Sequence, residues 1–145
     1  MPNHREHKIL PYSPGQMFAL VMDIESYPEF LPWCAGARVN ARHTDYLMAD
    51  VMVGYKIFRE KFSSRVNFVQ DQEIHVEYLD GPLKHLTNDW IFLPEKPGQC
   101  LVDFRIDFEF ENRLLQGLIE SFFDKALSRM MDAFEARAAA LYPHK

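Results

Sequence analysis

Acidic and imidazole side chains are the groups that acid–base or metal chemistry would need. Asp103, Asp107 and Glu109 alternate with apolar residues, which indicates the wet face of a strand rather than a paired acid and base. The six histidines have no metal-ligand spacing, and His4 and His7 lie in a terminus expected to fray. No Gly-x-Ser-x-Gly, His-Glu-x-x-His, phosphate-loop or dinucleotide-binding motif is present. The residues therefore predict no catalytic group and no metal site.

Composition and charge argue against several other classes of protein. The 145 residues suit one domain, which we expect to run from His4 to Tyr142. The net charge of −5 and the pI of about 5.6 disfavour a DNA-binding role. No stretch approaches the ~20 apolar residues of a membrane span, and the polar N-terminus lacks the apolar core of a signal peptide. We expect a cytoplasmic protein, peripheral to the inner membrane at most. Its Cys34 and Cys100 should be reduced and partly buried, with a disulfide as the alternative.

Two short helices are predicted close to the N-terminus, after a first strand over residues 7–12. Residues 13–16 supply an N-cap serine, a proline at the first helical position and a glutamine that completes a capping box. Residues 26–29 read Ser-Tyr-Pro-Glu, which is again a Ser-x-x-Glu box, and Pro32 limits this second helix. Both helices thus precede the remaining strands.

Residues 37–111 follow a period of two, which is the period of a strand. The clearest run is 102–110, where Val, Phe, Ile, Phe and Phe alternate with Asp, Arg, Asp and Glu. Such alternation indicates antiparallel strands with one wet face and one aromatic face. Short turns between the strands predict a meander of about six strands; the turn signals fall at residues 44–45, 71–72, 80–82 and 94–98.

A long helix is predicted over residues 113–141, with Asn112 as its N-cap. Its apolar side chains cover about half of the circumference, and this stripe must be buried against the aromatic face of the sheet. A twisted sheet that curls around one helix leaves space between the two, although a fully packed core is the alternative. The predicted fold class is therefore α+β, with a curved antiparallel sheet around a long C-terminal helix and two short helices after the first strand.

Residues 27–34, Tyr-Pro-Glu-Phe-Leu-Pro-Trp-Cys, carry the most specific signal in the chain. This octapeptide resembles the signature of the coenzyme-Q-binding START-domain family, which includes the bacterial RatA-like ribosome-association toxins. The order of elements is similar to the helix-grip fold of START-type and pollen-allergen-like proteins. Further blocks resemble the same family in the same order; they are residues 53–56, 60–66, 79–86 with Trp90, 107–110 and 130–138.

The resemblance implies that this chain binds an apolar lipid. The implied ligand is ubiquinone or a related polyprenyl quinone, held by a carrier or chaperone that supports respiratory electron transport. A bound quinone is then expected and no other cofactor is required. The first alternative is a ribosome-association toxin-like factor that binds the large ribosomal subunit. The second is an aromatase/cyclase-type enzyme, because some relatives in the broader superfamily cyclise polyketides.

Trp33, Trp90 and Phe30 are the first candidates for ligand contact. An indole offers a flat apolar face and one N–H donor, which suit a quinone ring and its carbonyl. Other phenylalanines would line a chamber for an isoprenoid tail, and the turn at residues 80–83 would act as a lid. Core packing, or a plain hairpin loop for the turn, is the alternative in each case. The predicted ligand-binding residues are Phe30, Trp33, Phe62, Leu79, Leu83, Trp90, Phe108, Leu118, Phe122 and Phe123.

A small basic set stands out in this acidic chain, and it consists of Lys56, Arg59, Lys61 and Arg65. Arg59, Lys61 and Arg65 share one parity, so they would project from the same face of a strand. Such a surface could dock on anionic lipid head groups during transient membrane contact, or on ribosomal RNA. A solvated strand face is the alternative.

Overall fold

The computed structural model describes residues 3–55, 58–112, 114, 117 and 124–142. Strands and helices follow each other in the predicted order, with one α-helix and one 3-10 helix between the first two strands. The elements are β1 Asn3–Leu10, α1 Pro14–Met22, the 3-10 helix Ile24–Glu29, β2 Cys34–Arg42, β3 Tyr46–Tyr55, β4 Phe58–Val69, β5 Glu73–Asp80, β6 Leu83–Pro94, β7 Cys100–Phe110 and α2 Met130–Leu141.

The strands form one antiparallel sheet in the order β1-β7-β6-β5-β4-β3-β2. Strands β2 to β7 are consecutive neighbours, as the predicted meander requires, and β1 pairs with the far edge at β7. Register shifts interrupt the pairing of β2 with β3, β4 with β5 and β6 with β7. Bulges of this kind bend and twist strands, so they help the sheet to curve around the helices.

The first strand corrects two expectations about the N-terminus. It begins at Asn3 and ends at Leu10 rather than covering residues 7–12. His4 and His7 are paired with Ile106 and Asp103 of β7, so the prediction that this terminus frays is wrong. The cause is that an edge strand is held by backbone hydrogen bonds to its neighbour, which its polar side chains do not reveal.

Of the two predicted capping boxes, the first is confirmed. The Oγ atom of Ser13 accepts from the Gln16 N–H at 3.1 Å, and the Gln16 side chain accepts from the Ser13 N–H at 2.9 Å. The second box is wrong, because Ser26 lies inside a 3-10 helix and its hydroxyl donates to Asp23 at 2.7 Å. Pro28 disfavours α-helical geometry at the residue before it, which explains the tighter helix.

The C-terminal helix is interrupted once within its described part. Residues 124–128 are helical, Arg129 forms a turn, and α2 continues to Leu141, where the sequence predicts the end. The Ala133 N–H still donates to the Arg129 carbonyl at 2.9 Å, so the break is local. The predicted N-cap is confirmed, because the Leu114 N–H donates to Asn112 Oδ1 at 2.9 Å. Of residues 113–123 the structure describes 114 and 117, both of which are helical.

The core lies between the concave face of the sheet and the helices. Four of the five inward residues of β7 are buried and Ile106 is half-buried. Helix α2 buries Met130, Met131, Phe134 and Ala138 against the sheet. Both cysteines are free and buried, and burial raises the pKa of the Cys100 thiol to about 11. Among the described helices, no segment combines the length and the hydropathy that a membrane span requires.

Candidate ligand-binding cavity

A cavity of about 180 Å³ lies between the concave face of the sheet and the helices. Strands β3 to β7 supply one wall, and the opposite wall comes from α1, the 3-10 helix and the C-terminal helix. An apolar cavity of about 150 Å³ is large enough to hold benzene. The space therefore admits one six-membered ring, and the described residues do not fill the core completely.

Three aromatic residues form the densest part of the cavity wall. The Trp90 ring lies 4.6 Å from the Phe104 ring and 5.0 Å from the Phe134 ring, measured between centroids. Trp90 comes from β6, Phe104 from β7 and Phe134 from α2, so this cluster joins the helix to the sheet. The Trp90 indole N–H already donates to Asn88 Oδ1 at 3.2 Å. Trp90 is thus placed to offer its ring to a ligand, but its hydrogen bond is in use.

Trp33 also lines the cavity, next to the start of β2. Its carbonyl accepts from the Gly54 N–H at 3.0 Å, which fixes the backbone at this end of β3. The side chain is half-buried, and its indole N–H has no acceptor among the residues that the structure describes. Trp33 therefore offers both an apolar face and an available donor.

Three further predicted contact residues line the same cavity, namely Phe62, Leu83 and Phe108. They are buried and come from β4, β6 and β7 respectively. The structure therefore brings five of the predicted residues to one space, including both tryptophans. Their contact with a ligand stays a prediction.

Two other predicted residues lie elsewhere. Phe30 packs against Phe134 at 5.2 Å between centroids, and the Arg137 guanidinium lies 5.2 Å from the Phe30 ring centre. Leu79 is 47% exposed, on the opposite face of β5 from the cavity-lining Tyr78. Neither Phe30 nor Leu79 belongs to the described cavity lining. Leu118, Phe122 and Phe123 lie outside the described residues.

On the strands, sequence reasoning missed three polar residues of the lining, which are Ser64, Tyr78 and Asn88. Each stands at an inward position of a strand whose other inward residues are apolar. The signal was available, because Ser64 follows Phe62 by two residues and Asn88 precedes Trp90 by two. A polar residue at such a position marks a group that needs a hydrogen-bond partner inside the core.

The turn between β5 and β6 is tied to this polar part of the cavity. The Leu83 N–H donates to the Tyr78 hydroxyl at 2.9 Å, and Gly81 has φ +148°. A Cβ atom at Gly81 would lie 2.8 Å from the Tyr78 hydroxyl and 2.9 Å from the Lys61 carbonyl oxygen. This turn therefore requires glycine at position 81. Its hydrogen bond from the Leu83 N–H also fixes the position of the Tyr78 ring.

Replacing Gly81 with alanine is expected to lower the free energy of unfolding by about 1–3 kcal/mol, through backbone strain and the clash with the Lys61 carbonyl. Chemical denaturation monitored by circular dichroism measures the change. Gly98 is the matched control for the strain alone, because its φ is +79° and nothing lies within 4 Å of a Cβ built there. A loss at Gly81→Ala no larger than that at Gly98→Ala would contradict the clash.

The described part of the cavity lining has none of the side chains that usually serve in acid–base catalysis or in metal binding. Its polar lining consists of hydroxyl, amide and indole groups, with no carboxylate or imidazole. Burial raises the pKa of both lining tyrosines, Tyr27 and Tyr78, so they remain protonated near neutral pH. Over the described ranges, no group of three His, Cys, Asp or Glu side chains is arranged to hold a metal ion.

Comparison with known proteins places this architecture in a family. A family model described as polyketide cyclase/dehydrase and lipid transport matches residues 10–135. The chain belongs to this family. It is 39% identical over 142 residues to a Rickettsia prowazekii protein named ribosome association toxin RatA, and the match covers 95% of this chain and 97% of that protein.

A second relative carries a different name. The chain is 32% identical over 143 residues to a mitochondrial protein of Xenopus laevis named coenzyme Q-binding protein COQ10 homolog B, covering 96% of this chain and 59% of that longer protein. The predicted membership in a START-type family with RatA-like and coenzyme-Q-binding members is therefore confirmed.

The START-type domain also matches solved structures of the same fold. A START superfamily protein from Mycobacterium smegmatis aligns with a TM-score of 0.81 at 17% identity, covering 96% of this chain and 98% of that one. Similarity at this level of identity shows the fold alone. The predicted helix-grip architecture is thereby confirmed.

The predicted basic surface of the START-type domain is only partly available. Arg59 and Lys61 are exposed on β4. The Arg65 guanidinium lies 3.8 Å from the centre of the Tyr46 ring, and its Nε donates to Asn67 at 2.8 Å. Lys56 lies outside the described residues. Of the three predicted cations that the structure describes, Arg59 and Lys61 are thus available to meet an anionic partner.

Proposed function

We propose that this START-type domain binds the ring of an apolar lipid, ubiquinone or a related polyprenyl quinone, in the cavity between sheet and helix. The observation that carries the proposal is the ring-sized space lined by apolar side chains and bordered by both tryptophans. The name of the COQ10 relative supports the same ligand class. The role is that of a carrier or chaperone in respiratory electron transport, and it requires no cofactor besides the bound lipid.

The free energy of lipid binding favours a carrier that releases its lipid over a protein that retains the lipid permanently. An empty apolar cavity costs on the order of 24 cal/mol per Å³ in core-deletion series, so filling about 180 Å³ would recover about 4 kcal/mol. The isoprenoid tail gains little, because a bilayer already surrounds it with an apolar medium. Affinity relative to the membrane must therefore come mainly from the ring and its polar atoms. Transient contact with a membrane surface would allow the exchange.

Lipid extraction tests the proposal. Freshly purified protein is extracted with organic solvent, and mass spectrometry of the extract is expected to show a polyprenyl quinone in excess over a purification blank. Added quinone at about 100 times its Kd is expected to stabilise the fold by about 2.7 kcal/mol, measured as a rise in melting temperature. Repeatedly empty extracts together with an unchanged melting temperature would contradict the proposal.

The second candidate function is association with the large ribosomal subunit. It rests on the name of the RatA relative, which matches nearly the full length of both chains, and on the exposed Arg59 and Lys61. Sedimentation with ribosomal subunits at increasing salt tests it, since phosphate contacts weaken as salt rises. The double variant R59A/K61A should lose co-migration with the large subunit, whereas R38A, which removes another exposed arginine, should retain it. Wild-type protein that never co-migrates would contradict this candidate.

A further inference from the structure

Two residues that carry hydroxyl groups lie next to each other in the cavity wall, on neighbouring strands. Ser64 of β4 is directly opposite Tyr78 of β5 in the sheet register, and both residues line the cavity. Side chains directly opposite each other on one face of an antiparallel pair have Cβ atoms about 4.5–5.5 Å apart. The two residues therefore form one hydroxyl-bearing patch of the wall, and the Tyr78 oxygen lies at the end of this patch, beside the Gly81 turn and the Leu83 N–H.

Both hydroxyls have a proton left to donate. The Ser64 hydroxyl has no hydrogen-bond partner among the described residues. The Tyr78 oxygen accepts from the Leu83 N–H at 2.9 Å, and its own proton has no acceptor in the same part of the chain. Burial keeps this phenol protonated by raising its pKa. Both residues are half-buried, so a ligand that displaces water from their hydroxyls would leave the two protons unpaired unless it supplies acceptor atoms.

The neighbouring amide does not satisfy these donors. Asn88 donates from Nδ2 to the Arg105 carbonyl at 2.8 Å and accepts at Oδ1 from the Trp90 indole at 3.2 Å. The Asn88 side chain is thus committed to the sheet and to the aromatic wall. The polar groups that remain available on the strands of the described lining are then two hydroxyls, each with a proton to donate.

We infer that Ser64 and Tyr78 recognise a carbonyl oxygen of the ligand ring and make the cavity prefer a quinone to a hydrocarbon of similar size. This inference rests on the proposed function, because it assigns a role to the polar residues of the same ligand-binding cavity. A ring carbonyl has acceptor lone pairs and no proton, so it complements two donors. A bare aromatic hydrocarbon would leave both hydroxyls unpaired.

Binding of two matched probes tests the inference. The probes are a benzoquinone and a benzene that carry the same ten-carbon alkyl chain, titrated against the protein with tryptophan fluorescence and calorimetry. S64A and Y78F are each expected to weaken quinone binding about 3- to 10-fold, which corresponds to one neutral hydrogen bond. The affinity for the alkylbenzene should stay within about 2-fold, because its contacts are apolar.

Two control variants remove the same groups from the outer face. Ser63→Ala deletes a hydroxyl that already donates to Asp50 at 2.7 Å, one residue from Ser64. Tyr46→Phe deletes a phenol whose ring stacks on His43 at 4.3 Å between centroids. Both controls should bind the quinone like the wild type. The melting temperature of Y78F is measured alongside, because this variant also removes the acceptor of the Leu83 N–H.

The outcomes separate this inference from the proposed function. Suppose that the wild type binds both probes. The inference is then overturned if S64A, Y78F and their double variant all bind the quinone with unchanged affinity, whereas the proposal of a lipid-binding cavity stands. Equal losses for the quinone and the alkylbenzene would also overturn it, since they would reflect packing. A wild-type protein that binds neither probe would overturn the proposed function itself.

Discussion

Replacing Phe134 with alanine is expected to lower the free energy of unfolding by about 3–5 kcal/mol, the usual range for a buried phenylalanine. Phe134 is 1% exposed and lies 5.5 Å from Tyr27, 5.2 Å from Phe30 and 5.0 Å from Trp90 between ring centroids. It therefore joins α2 to the family octapeptide and to the sheet at one point. Loss of the ring enlarges the cavity and removes contacts with all three neighbours.

Urea denaturation at equilibrium measures this loss. Leu141→Ala is the matched control, because Leu141 lies near the end of the same helix and is 45% exposed. That control should change the free energy of unfolding by at most about 0.5–1 kcal/mol. A loss below about 1.5 kcal/mol at Phe134 would show that the helix does not depend on this aromatic contact.

Replacing Val76 with phenylalanine is expected to weaken quinone binding by at least about 10-fold without unfolding the protein. Val76 lines the cavity from β5, opposite Val66 of β4, and it is half-buried. An added ring needs about the space of a benzene molecule, which a void of this size supplies. The variant ring would then occupy the position of the ligand ring, and the melting temperature should be maintained.

Val69→Phe provides the control for the same chemical change on the same sheet. Val69 is 45% exposed at the end of β4 and does not belong to the described cavity lining. This control should bind quinone with wild-type affinity. If the Val76→Phe variant is folded and binds the quinone as tightly as the wild type, the ligand binds outside this cavity.

The strand pattern and the first helix were predictable because both depend on local spacing. The alternation over residues 102–110 predicted which side chains of β7 face inward. The residue types at positions 13–16 predicted the N-cap of α1. Strand β1 was harder, because its polar sequence pairs with β7 about a hundred residues away. No local pattern records such a long-range pairing.

The cavity was predictable as a consequence of the fold, whereas its polar chemistry was not found in advance. Trp33 and Trp90 drew attention because tryptophan is large and rare, and both line the cavity. Ser64 and Tyr78 are common residue types, and only the strand register places them together. The hydrogen bond from Trp90 to Asn88 was also not predictable, because it depends on the orientations of the two side chains. Sequence therefore indicated the apolar wall, and the structure added the donors.

The most direct test of the central claim is to locate the ring of a bound quinone by nuclear magnetic resonance. Protein with labelled Ile, Leu and Val methyl groups is titrated with the ten-carbon alkyl benzoquinone, and nuclear Overhauser effects from the ring protons are recorded. The expected contacts are with the methyl groups of Val51, Val66, Ile74 and Val76, which line the cavity. Contacts confined to the exposed Ile9, Leu79 and Leu93, or no contacts at all, would contradict a ligand chamber between the helix and the sheet.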